Sequence, residues 1–239
     1  MRSEKAKVVS FSGIDGAGKS TQIEALQHHL RAHGLRSVLY TFWDDVVVLP
    51  RFREHMSLTA FKGDKGVGSP DKPINRRDKN VSSWYVIAAR LFLYLLDAFN
   101  LRLTVSRSSN TGADFVIFDR YIYDEMANLP LHRWPARIYV RLLLKLVSKP
   151  EIAFLVDADP VAAHTRKPEY PLDFVCKNRD AYLALSRLCG MTVLAPLTVD
   201  ETTGKIKELI SQKCPEPDSS SSDLALQCVA ARTAKSSHS

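Results

Sequence analysis

Cysteine is scarce in this chain, and what there is forms no pattern. Cys176, Cys189, Cys214 and Cys228 show neither C-x-x-C spacing nor nearby histidine partners, so neither a zinc site nor a disulfide framework is expected. A reducing compartment fits that usage. His28, His29, His132 and His164 likewise form no metal-ligand pattern. No uninterrupted apolar run reaches the roughly 18 residues of a membrane-spanning helix. No signal-peptide pattern precedes the first apolar segment, so a cytoplasmic location without a membrane partner is expected. There is no internal repeat. There is also no compact Lys/Arg run and no stripe of interleaved basic and aromatic residues. The formal net charge of +7 therefore points less to nucleic acid than to small anionic substrates.

What is present is concentrated near the amino terminus. An apolar run, Val8-Val9-Ser10-Phe11-Ser12, feeds Gly13-Ile14-Asp15-Gly16-Ala17-Gly18-Lys19-Ser20-Thr21 and then an apolar-periodic segment from Gln22. Strand, glycine-rich loop and helix in that order, with Gly13, Gly18, Lys19 and Ser20 filling G-x-x-x-x-G-K-S/T, is the signature of a loop that cradles phosphates. The chemistry needs these residue types. Glycines let backbone N–H groups approach a polyphosphate without side chains in the way. The helix that follows aims free N–H groups and its positive dipole end at the anion. Lys19 supplies a mobile charge for the β- and γ-phosphates of ATP, and Ser20 a hydroxyl for Mg²⁺, with Thr21 behind it. Gly13, Asp15, Gly16, Ala17, Gly18, Lys19, Ser20 and Thr21 form the expected phosphate-binding loop.

The remaining pattern alternates strand and helix. Strands are expected at Ala6–Ser12, Ser37–Phe42, Asp114–Phe118, Ile152–Asp157 and Met191–Ala195. Helices are expected at Ser20–His33, Arg51–Ala60, Ser82 to about Val105, Ala136–Val147, Leu172–Cys189 and Thr202–Gln212. On the long helix, Trp84, Ile87, Ala88, Leu91, Leu95 and Leu96 form the expected packing side. On the helix from Ala136, Arg137, Arg141 and Lys145 form a solvated face over a core face with Ile138, Leu142 and Val147. Lys62–Asn80 reads as a long loop. This gives an α/β fold, a P-loop NTPase-type three-layer sandwich with a five-stranded parallel sheet flanked by helices and a short lid. One domain over residues 1–214 is expected, followed by a disordered tail over 215–239.

In open parallel sheets the ligand sits at the carboxyl ends of the strands, and three such ends carry charge here. One is the phosphate loop. A second is Phe118-Asp119-Arg120-Tyr121, where Asp119 suits Mg²⁺ and Arg120 a bidentate phosphate contact. The third, Trp43-Asp44-Asp45, reads equally as a sugar-binding or basic carboxylate pair and as a solvated turn.

These segments together resemble the thymidylate kinase family of P-loop nucleotide kinases. The loop from Phe11 to Gln22 looks like that family's phosphate loop. Trp84 to Arg90 is similar to its helix ending in Ala-Ala-Arg, and Asp119-Arg120-Tyr121 matches its Asp-Arg-Tyr/His signature. The resemblance spans roughly residues 6 to 212. It implies that Asp15 approaches the acceptor sugar, Arg90 the acceptor base and Arg120 the acceptor phosphate. Tyr121 and Asp45 are grouped with that acceptor site. Arg166, with Lys167 and Arg179, is implied to supply lid cations, so Lys19, Arg120 and Arg166 become the catalytic set. Asp44-Asp45 stands where the family usually has Glu-Pro, and Ile122-Tyr123-Asp124-Glu125 replaces its Ser and Tyr-Gln. The implied reaction is ATP-dependent phosphoryl transfer to a nucleoside monophosphate, dTMP to dTDP, by a homodimer with Mg²⁺ and small-molecule nucleotide substrates. Two other readings stand beside it: a deoxynucleoside or other small-molecule kinase of the same fold, and a P-loop NTPase switch or non-catalytic nucleotide-binding protein. No guanine-reading Asn-Lys-x-Asp is present.

Overall fold

A computed structural model describes residues 5–49, 84–108 and 111–214. The helix expected at 51–60, the loop at 62–80 and the tail at 215–239 lie outside the described residues. Five strands, β1 (Lys7–Ser12), β2 (Ser37–Thr41), β3 (Phe115–Asp119), β4 (Ile152–Val156) and β5 (Thr192–Leu194), form one sheet in the order β2-β3-β1-β4-β5. Every pairing is parallel. β1, β3 and β4 are buried on nearly every residue, so both faces of the sheet centre are covered, as their unbroken apolar runs require.

The helices are α1 (Lys19–Ala32), α2 (Trp84–Ser108), α3 (Ile122–Met126), α4 (Trp134–Leu146), α5 (Pro160–Arg166), α6 (Leu172–Cys189) and α7 (Val199–Lys213). Local chemistry sets their ends. The Asp159 carboxylate accepts from the Ala162 N–H at 2.9 Å and Pro160 fills the first position of α5. Thr198 and Glu201 exchange hydrogen bonds at the start of α7, a capping box that begins the helix three residues before the expected Thr202. Strand β2 stops at Thr41, and Phe42–Val46 forms a single wide helical turn. The short helices α3 and α5 were absent from the sequence expectation, since neither is long enough to show a period.

Two helix faces differ from the sequence reading. On α2 the buried side chains are Leu93, Tyr94, Asp97, Ala98, Leu101 and Val105, whereas Ala88 is exposed and Leu91, Leu95 and Leu96 only half-buried. Asp97 lies on the buried stripe because its carboxylate accepts from the Val48 N–H at 2.8 Å, and Asn100 donates to the Val46 carbonyl at 2.7 Å. The two polar residues thus tie α2 to the turn after β2. On α4, Val140, Leu143 and Val147 reach the core, but Ile138 and Leu142 are exposed beside Arg137, Arg141 and Lys145. Tyr139, donating to the Leu91 carbonyl of α2, fixes that rotation. Among the described residues no helix is long and apolar enough to cross a membrane.

Candidate active site

The strand order makes β1 and β3 neighbours whose outgoing connections run in opposite directions, which opens a crevice at their carboxyl ends. The phosphate loop leaves β1 there and Asp119-Arg120 leaves β3. The Arg120 N–H donates to the Phe11 carbonyl at 2.9 Å, extending the β1–β3 ladder until the arginine stands beside the loop. Two loop positions admit only glycine. Gly13 has φ +144° and a Cβ there would lie 2.4 Å from the Val156 carbonyl oxygen; Gly16 has φ +80° and a Cβ would lie 2.3 Å from that of Ala163. The loop therefore packs backbone to backbone against β4 and α5.

Four ionised side chains meet in the crevice. The Lys19 ammonium is buried and donates to the Gly13 and Ile14 carbonyls, both at 2.9 Å. Burial pushes it down to about 8; the like charge of Arg120 works in the same direction, and Asp15, Asp124 and Asp119 oppose it. Arg120 donates to Asp15 through Nη2 and to Asp124 through Nη1, the latter at 3.1 Å. Burial alone would lower the guanidinium, but Asp124 and Asp15 more than offset it and hold it firmly charged. Burial alone would likewise raise the Asp15 carboxyl; the charges of Arg120, Lys19 and Lys167 hold it below the usual carboxylate range. Arg120 adopts φ +68°, a conformation unfavourable for a side chain of its size, so the backbone carries strain at this placed cation.

Asp124, on α3, organises the cluster from beneath. Its Oδ2 accepts from Ser12 Oγ at 2.7 Å and from the Tyr121 N–H at 3.1 Å; its Oδ1 accepts from Arg120 and from the Tyr182 hydroxyl at 2.6 Å. Burial and the neighbouring Asp124 push the Tyr182 phenol well above its ordinary range, so it remains a donor.

A second hollow adjoins the loop on the β4 side. This cavity of about 160 Å³ is walled by Ala17, Gly18, Asp157, Arg166, Pro196 and Leu197, among others. It gives the α1 amino terminus a neighbouring space with an apolar wall from the β5–α7 connection.

The structure thus brings together Gly13 to Ser20, Asp119, Arg120 and, at the rim, Arg166. Ser20 and Thr21 are exposed on the first turn of α1. The Asp119 Oδ1 is buried without a hydrogen-bond partner, a carboxylate oxygen suited to a cation or its water, and Ser20 offers an exposed hydroxyl from the first turn of α1. No group of three or more His, Cys, Asp or Glu side chains able to hold a metal occurs among the described residues. Other expected residues are placed differently. Tyr121 is fully buried and its hydroxyl donates to the Ser148 carbonyl, so its side chain serves the core while only its N–H reaches the cluster. Asp45 is exposed and accepts from the Thr41 N–H at 2.7 Å, capping the turn after β2. Arg90 lies half-buried near the start of α2. Arg179 is bound bidentately to Asp157 at 2.6 and 2.7 Å. Lys167 pairs with Glu169 at 3.3 Å and its charge acts on Asp15.

Sequence reasoning missed the structural use of Asp124 and Tyr182, and the Ala195–Leu197 wall. The last had a signal: once all strands are parallel, the exit of β5 must open on the same edge as the phosphate loop.

No family model matches the chain. Thymidylate kinases of Bifidobacterium longum are similar to it. That of subspecies infantis is 26% identical over 188 residues, covering 74% of this chain and 73% of the relative. A second, from another strain, is 26% identical over 188 residues with 74% and 82% covered. Among solved structures, thymidylate kinase from Candida albicans aligns with a TM-score of 0.59 at 18% identity, covering 87% of this chain and 92% of that one. The enzyme from Ehrlichia chaffeensis aligns with a TM-score of 0.54 at 16% identity, covering 87% and 100%. The shared fold is the parallel five-stranded P-loop sheet.

Proposed function

We propose that this thymidylate kinase-like chain is a nucleoside monophosphate kinase, one domain over residues 1–214, that transfers the γ-phosphoryl group of ATP to dTMP. The observation that carries the reading is the contact of Arg120 with Asp15: a charged, pre-positioned guanidinium stands at the mouth of the phosphate loop, just past the end of the neighbouring strand. A phosphate seated on Arg120 lies beside phosphates seated on the loop, which is the juxtaposition that transfer between them requires.

In this reading the loop amides from Gly13 to Thr21 and the Lys19 ammonium hold the donor phosphates, and Lys19 leaves the Gly13 and Ile14 carbonyls to do so. The donor base occupies the cavity bounded by Arg166, Pro196 and Leu197. Ser20 and Asp119 are the residues that would hold Mg²⁺, which would supply charge neutralisation to the transferring group. Arg120 exchanges Asp15, the more exposed of its two carboxylates, for the acceptor phosphate and keeps Asp124. The freed Asp15 turns to the acceptor sugar. Arg90 orients the acceptor base. Lys167 and Arg166 close over the phosphates and exclude water, which suppresses hydrolysis.

The deoxynucleoside-kinase reading needs an accessible base to activate a neutral hydroxyl. Asp124 is buried with four hydrogen bonds on its oxygens, and Asp45 caps a turn. A monophosphate acceptor is already ionised and needs neither. Phe92, Phe99 and Leu103 stand exposed on α2, and a second copy of the chain is the proposed partner for that stripe. A cytoplasmic location goes with the reading.

The test is a phosphoryl-transfer panel. Full-length protein with Mg²⁺ and ATP is offered nucleoside monophosphates, dTMP included, and the corresponding nucleosides, with products resolved by mass. ADP formed in step with dTDP is expected. Turnover of a nucleoside would move the assignment to the hydroxyl-acceptor class. ADP with no second product would make the chain an NTPase, and no ADP a binding protein.

A further inference from the structure

We propose that the outer face of α4 docks on an anionic membrane surface, holding the protein at a lipid interface without crossing it. The face exists because of how α4 is rotated. At about 100° per residue, Val140 and Leu143 point to the core, and Trp134, Ile138, Leu142 and Leu146 fall on the far side. Their exposures are 72%, 45%, 52% and 46%. A surface helix normally turns such residues inward; here four large apolar side chains, one per turn, line the solvent side over about 20 Å. Scattered exposed apolar residues need no explanation, but a continuous stripe along one helix marks an interaction surface.

Charge selects the occupant. Arg133, Arg137, Arg141 and Lys145 flank the apolar stripe, all four exposed, and Lys149 follows the helix. No aspartate or glutamate occurs between Glu125 and Glu151. Among the described residues none of these five cations forms an ion pair; Arg137 bonds only the Leu131 carbonyl, at 2.7 Å. On α2, Arg102 adds its charge beside the end of the stripe, donating to the Leu146 carbonyl at 3.4 Å. A second copy of the same face would bring like charges together, which disfavours self-association through α4. A convex helix offers no groove for a partner helix. It has what an interfacial helix needs: apolar residues including a tryptophan to enter the headgroup boundary, and long-stemmed cations beside them that reach the phosphates.

The inference is independent of the catalytic reading, since none of these residues lies in the crevice. The experiment is flotation of the full-length protein with vesicles of phosphatidylcholine and phosphatidylglycerol, against vesicles of phosphatidylcholine alone, at low and high salt. Partitioning onto the anionic vesicles is expected, weakening as salt rises. The double variants Ile138→Ser/Leu142→Ser and Arg141→Glu/Lys145→Glu should each weaken it by about ten-fold or more, with circular dichroism and solution activity unchanged. The charge variant removes no buried contact, so its result stands even if the apolar variant misfolds. Absence of partitioning at low salt overturns the proposal, as does equal partitioning onto neutral vesicles or indifference to both variants. A change in particle mass by light scattering in the Ile138→Ser/Leu142→Ser variant would make the face a self-interface and overturn it as well.

Discussion

Two regions of this protein use cations in opposite ways. In the crevice, Lys19 is buried and Arg120 half-buried beside Asp15, Asp119 and Asp124, and Arg120 has two carboxylates on its guanidinium. On α4, Arg133, Arg141 and Lys145 are exposed and no carboxylate answers them. A charge removed from water must be compensated at once by its own protein, whereas a charge left in water can wait for a partner. The first arrangement spends its electrostatics on holding a geometry; the second keeps it available for association. Changing residues in each region should therefore have very different effects.

The largest difference lies in turnover. Lys19→Ala should reduce phosphoryl transfer by on the order of 10²–10³-fold or more, because it removes a preorganised charge from the reacting phosphates, while circular dichroism remains native. Arg141→Gln should leave solution turnover unchanged. Near-normal turnover of Lys19→Ala would break the comparison outright.

Stability should separate the regions next. Asp124→Ala leaves Arg120 with one carboxylate and strips Ser12 and Tyr182 of their acceptor, and a loss of about 3–5 kcal/mol is expected in denaturant unfolding. A loss under about 1 kcal/mol would mean that the network does not hold Arg120 in place. Within α4, adjacent residues give a sharper version. Leu143→Ala should cost about 2–5 kcal/mol and Leu142→Ala no more than about 0.5 kcal/mol, since only Leu143 is buried. Equal costs would contradict the rotation of the helix.

The smallest effect is in pH. Burial lowers Lys19 to about 8, so the charged form is complete below that pH and is lost as pH rises through it. For the free enzyme, kcat/KM for ATP should fall by about ten-fold per pH unit above that point. Lys19→Arg should abolish the descent, because a guanidinium does not titrate there. A profile that stays level through pH 8 in the unmodified protein would place the Lys19 pKa elsewhere.

The same contrast explains what could be read in advance. The phosphate loop was legible because its glycines answer to hard constraints: at Gly13 and Gly16 a side chain would meet a carbonyl oxygen. Asp119 and Arg120 were legible because a charged pair at the end of a buried run can only mark the edge of a sheet. The parallel sheet followed from the alternation of elements, and its five strands lie within two residues of their expected bounds. In the sequence Asp124 stands out only within Ile122-Tyr123-Asp124-Glu125, where the family usually has Ser and Tyr-Gln. Its role depends on Ser12 and Tyr182, 112 and 58 residues away, and local pattern carries no trace of such partners. The α4 face was misread for another reason. Ile138 and Leu142 share the same four-residue spacing as Arg137 and Arg141, and periodicity cannot say which stripe faces inward. The Tyr139 bond to Leu91 and the packing on α2 decide it. Tyr121, adjacent to Arg120, shows the limit of proximity: its neighbour enters the crevice while its own ring fills the core.

Gly16 lies so close to the Ala163 carbonyl that no methyl group fits between them. For a chemist seeking a ligand for the adjoining cavity, this holds two of its walls at a fixed spacing, Ala17 and Gly18 of the loop and Ala162 of α5, since the loop and α5 cannot retreat separately. Added bulk between those walls meets backbone and small residues rather than a yielding side chain. Affinity is to be gained at the opposite rim, where Arg166 and Leu197 are exposed and able to fold over an added ring.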